Sequence, residues 1–149
     1  MRRAGPADAP VIGRLLHDFN REYDEPIPEP EPLGRRIAAL LAADELTVLL
    51  AGVEPLGLAV LRFRAAIWSH AQECYLAELY VVPARRREGI GRALMLAAIE
   101  LARSQGANYM DLGTGEADVG ARALYESLGF DNRGGRLNGP VNYFYEREL

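Results

Sequence analysis

A turn rich in arginine and glycine, PARRREGIGR at residues 83–92, has the residue types of an anion-binding site. Gly89 and Gly91 carry no side chain, so a ligand could approach the backbone closely there. The first N–H groups of a helix that begins at this turn lack intrahelical acceptors and, with the helix dipole, attract phosphate. Positive charge comes from four arginines, Arg85, Arg86, Arg87 and Arg92. Taken alone, the turn fits equally well an exposed basic turn before a surface helix.

A strand before this turn and a helix after it would hold these residues in place. Residues 74–82 alternate and are rich in Tyr, Leu and Val, which predicts a strand. Pro83 ends that strand because it has no N–H to donate. From Gly89 onward the apolar residues follow helical spacing, at Ile90, Ala93, Leu94, Ala97, Ala98 and Leu101. Gly106 stands where a helix commonly ends.

The whole chain predicts an α/β protein, an α+β mixed sheet covered by helices, with the element order β-α-α-β-β-β-α-β-α-β-β. Asp8 is predicted to cap the first helix. A proline-rich loop is predicted for YDEPIPEPEP at residues 23–32, before a second helix at residues 33–43. The other predicted strands are residues 1–4, 46–51, 56–63, 109–113, 130–132 and 142–147, and a last helix is predicted at residues 119–128.

Length and composition exclude several classes of protein. The 149 residues suit a single domain, 1–149, and the 49% of apolar residues predicts a packed core. No apolar run reaches the length of about 20 residues that a membrane span needs. A single cysteine excludes an internal disulfide, and neither histidine has a partner at metal-ligand spacing, so we expect no metal. The net charge of −4 argues against nucleic-acid binding, and a cytoplasmic location is the default expectation.

The arginine- and glycine-rich turn at residues 83–92 resembles a known acetyl-CoA-binding motif. The Arg-Ala pair after its last glycine excludes a Walker phosphate loop, and the leucine that follows excludes a Rossmann fingerprint. Arg86, Gly89 and Gly91 instead form Arg-x-x-Gly-x-Gly directly after a strand, which resembles the acetyl-CoA-binding motif of the GNAT superfamily of N-acetyltransferases.

A second stretch, ARALYESLGF at residues 121–130, resembles the second motif of the same family. The matching residues are Ala121, Leu124, Tyr125, Gly129 and Phe130. Where the motif has Asn, this chain has Asp118, which can still cap the helix. The two motifs stand in the family's order, and the predicted element order agrees with the GNAT fold, including a central strand pair that splays apart.

The resemblance implies acetyl-CoA as cofactor and names the residues that would hold it. The strand before the turn would pair with the pantetheine amides, and the turn would hold the phosphates. The implied cofactor-binding residues are Leu79, Tyr80, Val81, Val82, Arg86, Arg87, Glu88, Gly89, Ile90, Gly91, Arg92, Thr114, Asp118, Ala121 and Tyr125. The resemblance also allows for a homodimer.

Two residues are candidates for acid–base catalysis. An acetyl thioester must meet a neutral amine, so a base with a pKa raised toward neutrality is needed. Glu78 would share a face with Leu76 and Tyr80 in an alternating strand, where apolar surroundings raise a carboxyl pKa. Its position matches that of the glutamate base of many GNAT enzymes; the alternative is a strand Glu facing solvent or an Arg. Tyr125 matches the family's general-acid tyrosine, and its alternative role is helix packing.

The loop after the first helix carries acids without a base, which suggests a cationic acceptor. Candidate acceptor-binding residues are Phe19, Tyr23, Asp24, Glu25 and Glu116. The alternative is a merely solvated loop. The leading function is therefore transfer of an acetyl group to a primary amine of a small cationic molecule, polyamine-like or aminoglycoside-like. A protein or peptide N-acetyltransferase and a non-catalytic acyl-CoA-binding domain are the alternatives.

Overall fold

A five-stranded mixed sheet, in the sequential order β1-β2-β3-β4-β5, is the framework that carries most of the candidate site. The computed structural model describes all residues from 1 to 149 and divides into two compact units, Met1–Leu112 and Gly113–Leu149. The strands of the first unit are β1 (Arg2–Arg3), β2 (Thr47–Ala51), β3 (Gly57–Ala65), β4 (Gln72–Val81) and β5 (Ala107–Leu112). Its helices are α1 (Ala9–Glu22), α2 (Pro30–Ala42) and α3 (Ile90–Ser104). The second unit contains α4 (Val119–Ser127).

The connections of the sheet follow from the lengths of the segments that join its strands. Strands β1 to β4 are antiparallel neighbours. Strand β5 runs parallel to β4, because the chain returns through α3 before it enters the sheet again. The predicted α/β class and mixed sheet are thereby confirmed, whereas the single domain over residues 1–149 stays a prediction.

Helices cover both faces of the sheet of the first unit. The apolar faces of α1 and α2 pack with Val48, Leu58 and Val60 into one buried cluster. Helix α3 packs on β2 to β5 and shares no residue with that cluster, so it covers the opposite face. The buried residues of α3 are Leu94, Met95, Ala98 and Ala102. The predicted apolar stripe was therefore slightly rotated, since it included the exposed Ala93 and left out Met95 and Ala102.

The proline-rich segment is partly helical, which differs from the prediction. Helix α2 begins at Pro30 rather than at residue 33. Pro30 and Pro32 occupy the first turn of the helix, where backbone N–H groups have no intrahelical acceptor, so their missing donors cost no hydrogen bond. The loop between α1 and α2 is correspondingly short, and it includes Asp24 in the left-handed region at φ 53°.

The two strands predicted at residues 130–132 and 142–147 are wrong, because the structure has no strand after β5. Asp131 accepts hydrogen bonds from the N–H groups of Arg133 and Gly135, which turns the chain away from an extended path. Gly134 and Gly135 both have positive φ. A single backbone bond, from Asn142 N to Asn132 O at 2.6 Å, joins the two segments, and one bond does not make a ladder.

None of the helices combines the length and the apolar character that would let it cross a membrane.

Backbone contact between α1 and α2 fixes the position of α1, and it gives a stability prediction. A Cβ at Gly13 would lie 2.8 Å from the backbone N of Gly34, whereas a Cβ at Gly34 would meet nothing nearer than 3.4 Å. We expect Gly13→Ala to lower the free energy of unfolding, because overpacking costs about 1–3 kcal/mol and exceeds the helix-propensity gain of up to about 1 kcal/mol. Urea unfolding measures the change.

The control is Gly34→Ala, which adds the same methyl group on the other side of the same contact. It should be neutral or stabilising, because its surroundings are at ordinary van der Waals distance and alanine is the better helix former. Equal unfolding free energies for the two variants would contradict a close backbone approach at Gly13.

Candidate active site

Strands β4 and β5 separate halfway along β4 and leave an open backbone edge. The parallel ladder pairs β4 with β5 only from Gln72 to Leu76, although β4 continues to Val81. On the other side, β4 stays paired with β3 as far as Val81, and Val82 N donates to Leu56 O at 2.9 Å. The predicted splay of the central strands is present.

The antiparallel pattern decides which groups face the opening. The Val82 N–H bonds to β3, and because the direction of the backbone groups alternates along a strand, the N–H and C=O of Tyr80 also face β3. The N–H and C=O of Leu79 and Val81 therefore face the open side. The open edge can therefore pair with an extended ligand as a further strand would.

A β-bulge in β4 sets the direction of Glu78. Val60 pairs with Glu78 and the next residue, Leu61, pairs with Leu76, so Ala77 is an extra residue in β4. Glu78 therefore shares the α1/α2 face with Tyr80, but Leu76 points to the opposite face. The predicted common face of Leu76 and Glu78 is wrong, because the bulge interrupts the alternation on which that prediction rested.

The Glu78 carboxylate is half-buried, and no hydrogen bond or ion pair holds it. Burial raises the pKa of Glu78 above its usual range, and the nearby Arg62 guanidinium opposes that rise in part. The raised pKa is the property that a general base for an ammonium group needs. Strand β4 also carries the single cysteine, Cys74, whose thiol is fully buried. Burial raises the pKa of this thiol to about 11, so it is a poor nucleophile.

The turn after β4 has the backbone geometry of an anion site. Arg87 has φ 67° and Gly89, the residue before α3, has φ 81°. The first α-helical hydrogen bond runs from Ala93 N to Gly89 O, so the N–H groups of Ile90, Gly91 and Arg92 have no intrahelical acceptor. Nothing lies within 4 Å of a Cβ added at Gly89, so the positive φ rather than crowding favours glycine there in this structure.

Arg85 and Arg86 of the turn form ion pairs within the protein. Arg85 binds Glu88 with its Nε and Nη2 at 2.8–2.9 Å, and this contact lowers the pKa of Glu88. Arg86 binds Glu22 of α1 and the carbonyl of Val81. Two of the four positive charges are thus matched by carboxylates within the protein.

An open cleft of about 420 Å³ lies between α1 and the end of β4. It is lined by Asp18, Arg21, Glu22, Tyr80, Val82 and Pro83. Of the predicted acceptor residues, Phe19 borders this region through its ring contact with Tyr80, at 5.3 Å between centroids. Tyr23 packs edge-on against Phe19, while Asp24 and Glu25 are exposed and do not line the cleft.

Asp18 and Arg21 were not predicted as site residues. The signal available in the sequence was the i, i+4 spacing of Asp18 and Glu22, which places both carboxylates on one side of α1. Asp18 is half-buried and forms no ion pair. The pKa of the Tyr80 hydroxyl is raised, mainly by burial and to a smaller extent by the negative charges of Glu22 and Asp18. Both carboxylates therefore lie close enough to influence this hydroxyl.

The second unit arranges its candidate residues around the start and the core of α4. Asp118 caps the helix by accepting a hydrogen bond from Ala121 N at 3.1 Å, as predicted. Tyr125 is buried and packs edge-on against Phe130, at 6.1 Å between ring centroids. Thr114 and Glu116 are exposed, and the Glu116 carbonyl accepts a hydrogen bond from Arg122.

Comparisons with known proteins agree with this architecture. The model of the acetyltransferase (GNAT) family matches residues 12–130. A crystal structure of an acetyltransferase candidate from Arthrobacter sp. FB24 is 44% identical with a TM-score of 0.88, over 99% of this chain and 94% of that chain. The uncharacterised N-acetyltransferase YhfO of Bacillus subtilis (strain 168) is 29% identical over 144 residues, 95% of this chain and 96% of its own length.

A further relative matches only one segment. N-acetyltransferase 8 of Homo sapiens is 41% identical over 59 residues, which is 40% of this chain and 26% of that protein. The match thus spans about a quarter of that relative's length.

The cap at Asp118 yields a prediction about the residue in which this chain departs from the motif. Asp118→Ala should lower the free energy of unfolding of the cooperative unit that contains α4 by about 1 kcal/mol, because the N–H of Ala121 loses its acceptor. Asp118→Asn should change it by only a few tenths of that, since Asn caps about as well as Asp. Thermal unfolding followed by circular dichroism measures both, and an equal loss in the two variants would show that the charge, not the cap, matters.

Proposed function

The chain belongs to the GNAT acetyltransferase family, and from this premise we propose that it is an acetyl-CoA-dependent N-acetyltransferase whose acceptor is a primary amine of a small cationic molecule. Members of the family generally use acetyl-CoA as co-substrate. The observation that carries the proposal is the Glu78 carboxylate, half-buried and unpaired, next to the open edge of β4. A base, an edge for the donor and a cleft with one unpaired carboxylate for the acceptor then lie within the first unit.

The donor would occupy the open edge and the turn. Acetyl-CoA supplies the acetyl group as a thioester. The outward N–H and C=O of Leu79 and the N–H of Val81 fit the amides of pantetheine, and the N–H groups at the start of α3 fit the pyrophosphate of CoA. In the second unit, the resemblance of the second motif assigns further donor contacts to Thr114, Asp118, Ala121 and Tyr125.

In the proposed reaction, Glu78 would be the general base and Tyr125 the general acid. Most amines are cations at neutral pH, so the acceptor ammonium must lose a proton before its nitrogen can attack the thioester. Glu78 accepts that proton, directly or through one water. Tyr125 gives its hydroxyl proton to the sulfur that leaves, which then departs as a thiol. The Cys74 thiol takes no part because it stays protonated in the core, and in the cytoplasm, where we place the reaction, it would stay reduced.

The acceptor cleft favours a cation for two reasons. The Asp18 carboxylate lies in the cleft without an ion pair, whereas the second carboxylate on that wall, Glu22, is paired with Arg86, and Arg21 adds a positive charge. Tyr80 adds an aromatic surface for the carbon skeleton or the charge of an amine. Asp24 and Glu25, exposed just after α1 in the chain, would add attraction at longer range, and Tyr23 would add a second aromatic ring beside Phe19.

The experiment that tests the function measures release of CoA from acetyl-CoA over a panel of amines. The panel contains spermidine, an aminoglycoside, a neutral-bodied monoamine and peptides with free N-termini or lysines. We expect the highest kcat/KM for the polycations and a fall in kcat/KM as salt rises, because salt screens exposed charges beyond about 8 Å at physiological ionic strength. A preference for peptides would indicate a protein acetyltransferase, and CoA binding without transfer would indicate a binding domain.

Charge-matched variants separate the cleft from the net charge of the protein. Asp18→Asn should lower kcat/KM for the polycations several-fold at low salt. Glu100→Gln removes the same charge from the exposed side of α3, on the far side of the sheet, and should have no effect. Equal effects of the two variants would remove the cleft from acceptor recognition.

A pH profile tests Glu78 as the base. Because its pKa is raised, the ionised, proton-accepting form is lost at a higher pH than for an exposed glutamate, so kcat/KM should fall as pH drops through that raised pKa. Arg62→Gln removes the cation that lowers this pKa, so the acid limb of the profile should move to higher pH. Glu78→Gln should abolish the limb and lower kcat by about 10²–10⁴-fold.

Tyr125→Phe is the matched variant in the same profile. It should lower kcat with the KM for acetyl-CoA and the acid limb unchanged, because it removes the proposed acid and leaves the base in place. An acid limb that persists in Glu78→Gln would exclude Glu78 as the titrating group.

A further inference from the structure

Arg86 joins three elements of the first unit through one guanidinium group. Its Nε donates to the carbonyl of Val81 at 2.9 Å. Its Nη2 binds Glu22 Oε2, at the end of α1, at 2.5 Å. Its Cζ lies 5.7 Å from the centroid of the Tyr80 ring, which in turn packs on Phe19 of α1. The turn, the end of β4 and α1 are thereby fastened at a single point.

These contacts neutralise the guanidinium and use two of its five N–H donors, which weakens its attraction for a phosphate. Its charge is matched by Glu22, whose side chain is 27% exposed, and its Nε and Nη2 donate within the protein. The contact with Val81 also has a consequence for the open edge, because it satisfies the Val81 carbonyl and leaves the Val81 N–H and both backbone groups of Leu79 to pair with a ligand there.

We propose that Arg86 and Glu22 form a positioning pair, which holds the turn and the end of β4 in the donor-binding geometry by anchoring them to α1. This inference rests on the proposed function, because the geometry that it maintains is that of the proposed donor site. The role differs from that of a phosphate ligand: Arg86 acts through the backbone it holds, and the acid on the acceptor side of the site is needed for binding on the donor side.

The positioning role and simple electrostatics predict opposite changes in CoA affinity when the charge of Glu22 is removed. CoA is an anion, so removing the negative charge of Glu22 near its site should tighten binding if charge alone matters. If Glu22 instead orders the turn through Arg86, its loss should weaken binding, because the free protein must then order the turn at the moment of binding. The direction of the change in CoA affinity therefore decides between the two.

Isothermal titration calorimetry with CoA on the full chain tests the pair. We expect Glu22→Gln and Arg86→Gln each to raise the Kd about 5- to 20-fold, within the range of couplings between sites. The double variant should be no worse than either single variant, because the two residues act as one unit. Asp18→Asn removes the same charge from the same side of α1 without touching Arg86, and it should leave the Kd unchanged or lower it.

Arg86→Lys separates position from charge. Lysine keeps the charge but has no planar fork with which to bind Glu22 and the Val81 carbonyl together, so it should weaken CoA binding as much as Arg86→Gln does. The salt dependence of the Kd should also stay that of wild type in Arg86→Gln, because no phosphate contact is lost. Thermal unfolding checks that the variants are folded, and Glu22→Asp, with its shorter reach, gives an intermediate loss if the full substitution unfolds the chain.

Several outcomes would overturn the proposal. Unchanged or tighter CoA binding in Glu22→Gln would do so, and so would a loss in Arg86→Gln that Arg86→Lys restores or that flattens the salt dependence, since these mark a direct phosphate contact. Failure of the wild-type chain to bind CoA would instead refute the proposed function, and the inference with it.

Discussion

An unpaired stretch of backbone at the end of β4 is the constraint around which the site is arranged. Buried or half-buried N–H and C=O groups need partners, and β4 has lost β5 as a partner beyond Leu76. One of these groups, the Val81 carbonyl, is satisfied by Arg86, and the others face the opening. A ligand with amide groups in an extended chain can satisfy them, so the same break in the ladder that weakens the sheet creates a specific binding edge.

The β-bulge at Ala77 matters for the same strand in a different way. Without the extra residue, Glu78 and Leu76 would lie on one face, and either both or neither would enter the α1/α2 side. The bulge lets Leu76 stay on the other face of the sheet while Glu78 joins Tyr80 on the α1/α2 face. The glutamate thereby reaches surroundings that are apolar enough to raise its pKa, yet no cation pairs with it closely enough to cancel the effect.

The sequence was sufficient where the signal is local. Pro83 predicted the C-terminal end of β4 and Gly89 predicted the start of α3, each to within a residue, because their backbone restrictions act at their own positions. The bulge was not predictable from alternation, since it depends on how β4 pairs with β3. Residues 142–147 have the composition of a strand but no ladder partner, and composition alone does not supply one. The partner of Arg86 is 64 residues away in the chain, so no local pattern identifies it.

The charges of the turn suggest how a site for an anion can be built with few unpaired cations. Arg85 binds Glu88 and Arg86 binds Glu22, so both positive charges are neutralised by contacts that stabilise the conformation of the turn. Exposed arginines attract an anion only weakly, because water and salt screen them. Backbone N–H groups fixed at the start of α3 lose no side-chain entropy on binding and point in set directions. In the proposed donor site, arginine therefore contributes more through the order that it gives to the backbone than through its own attraction for phosphate.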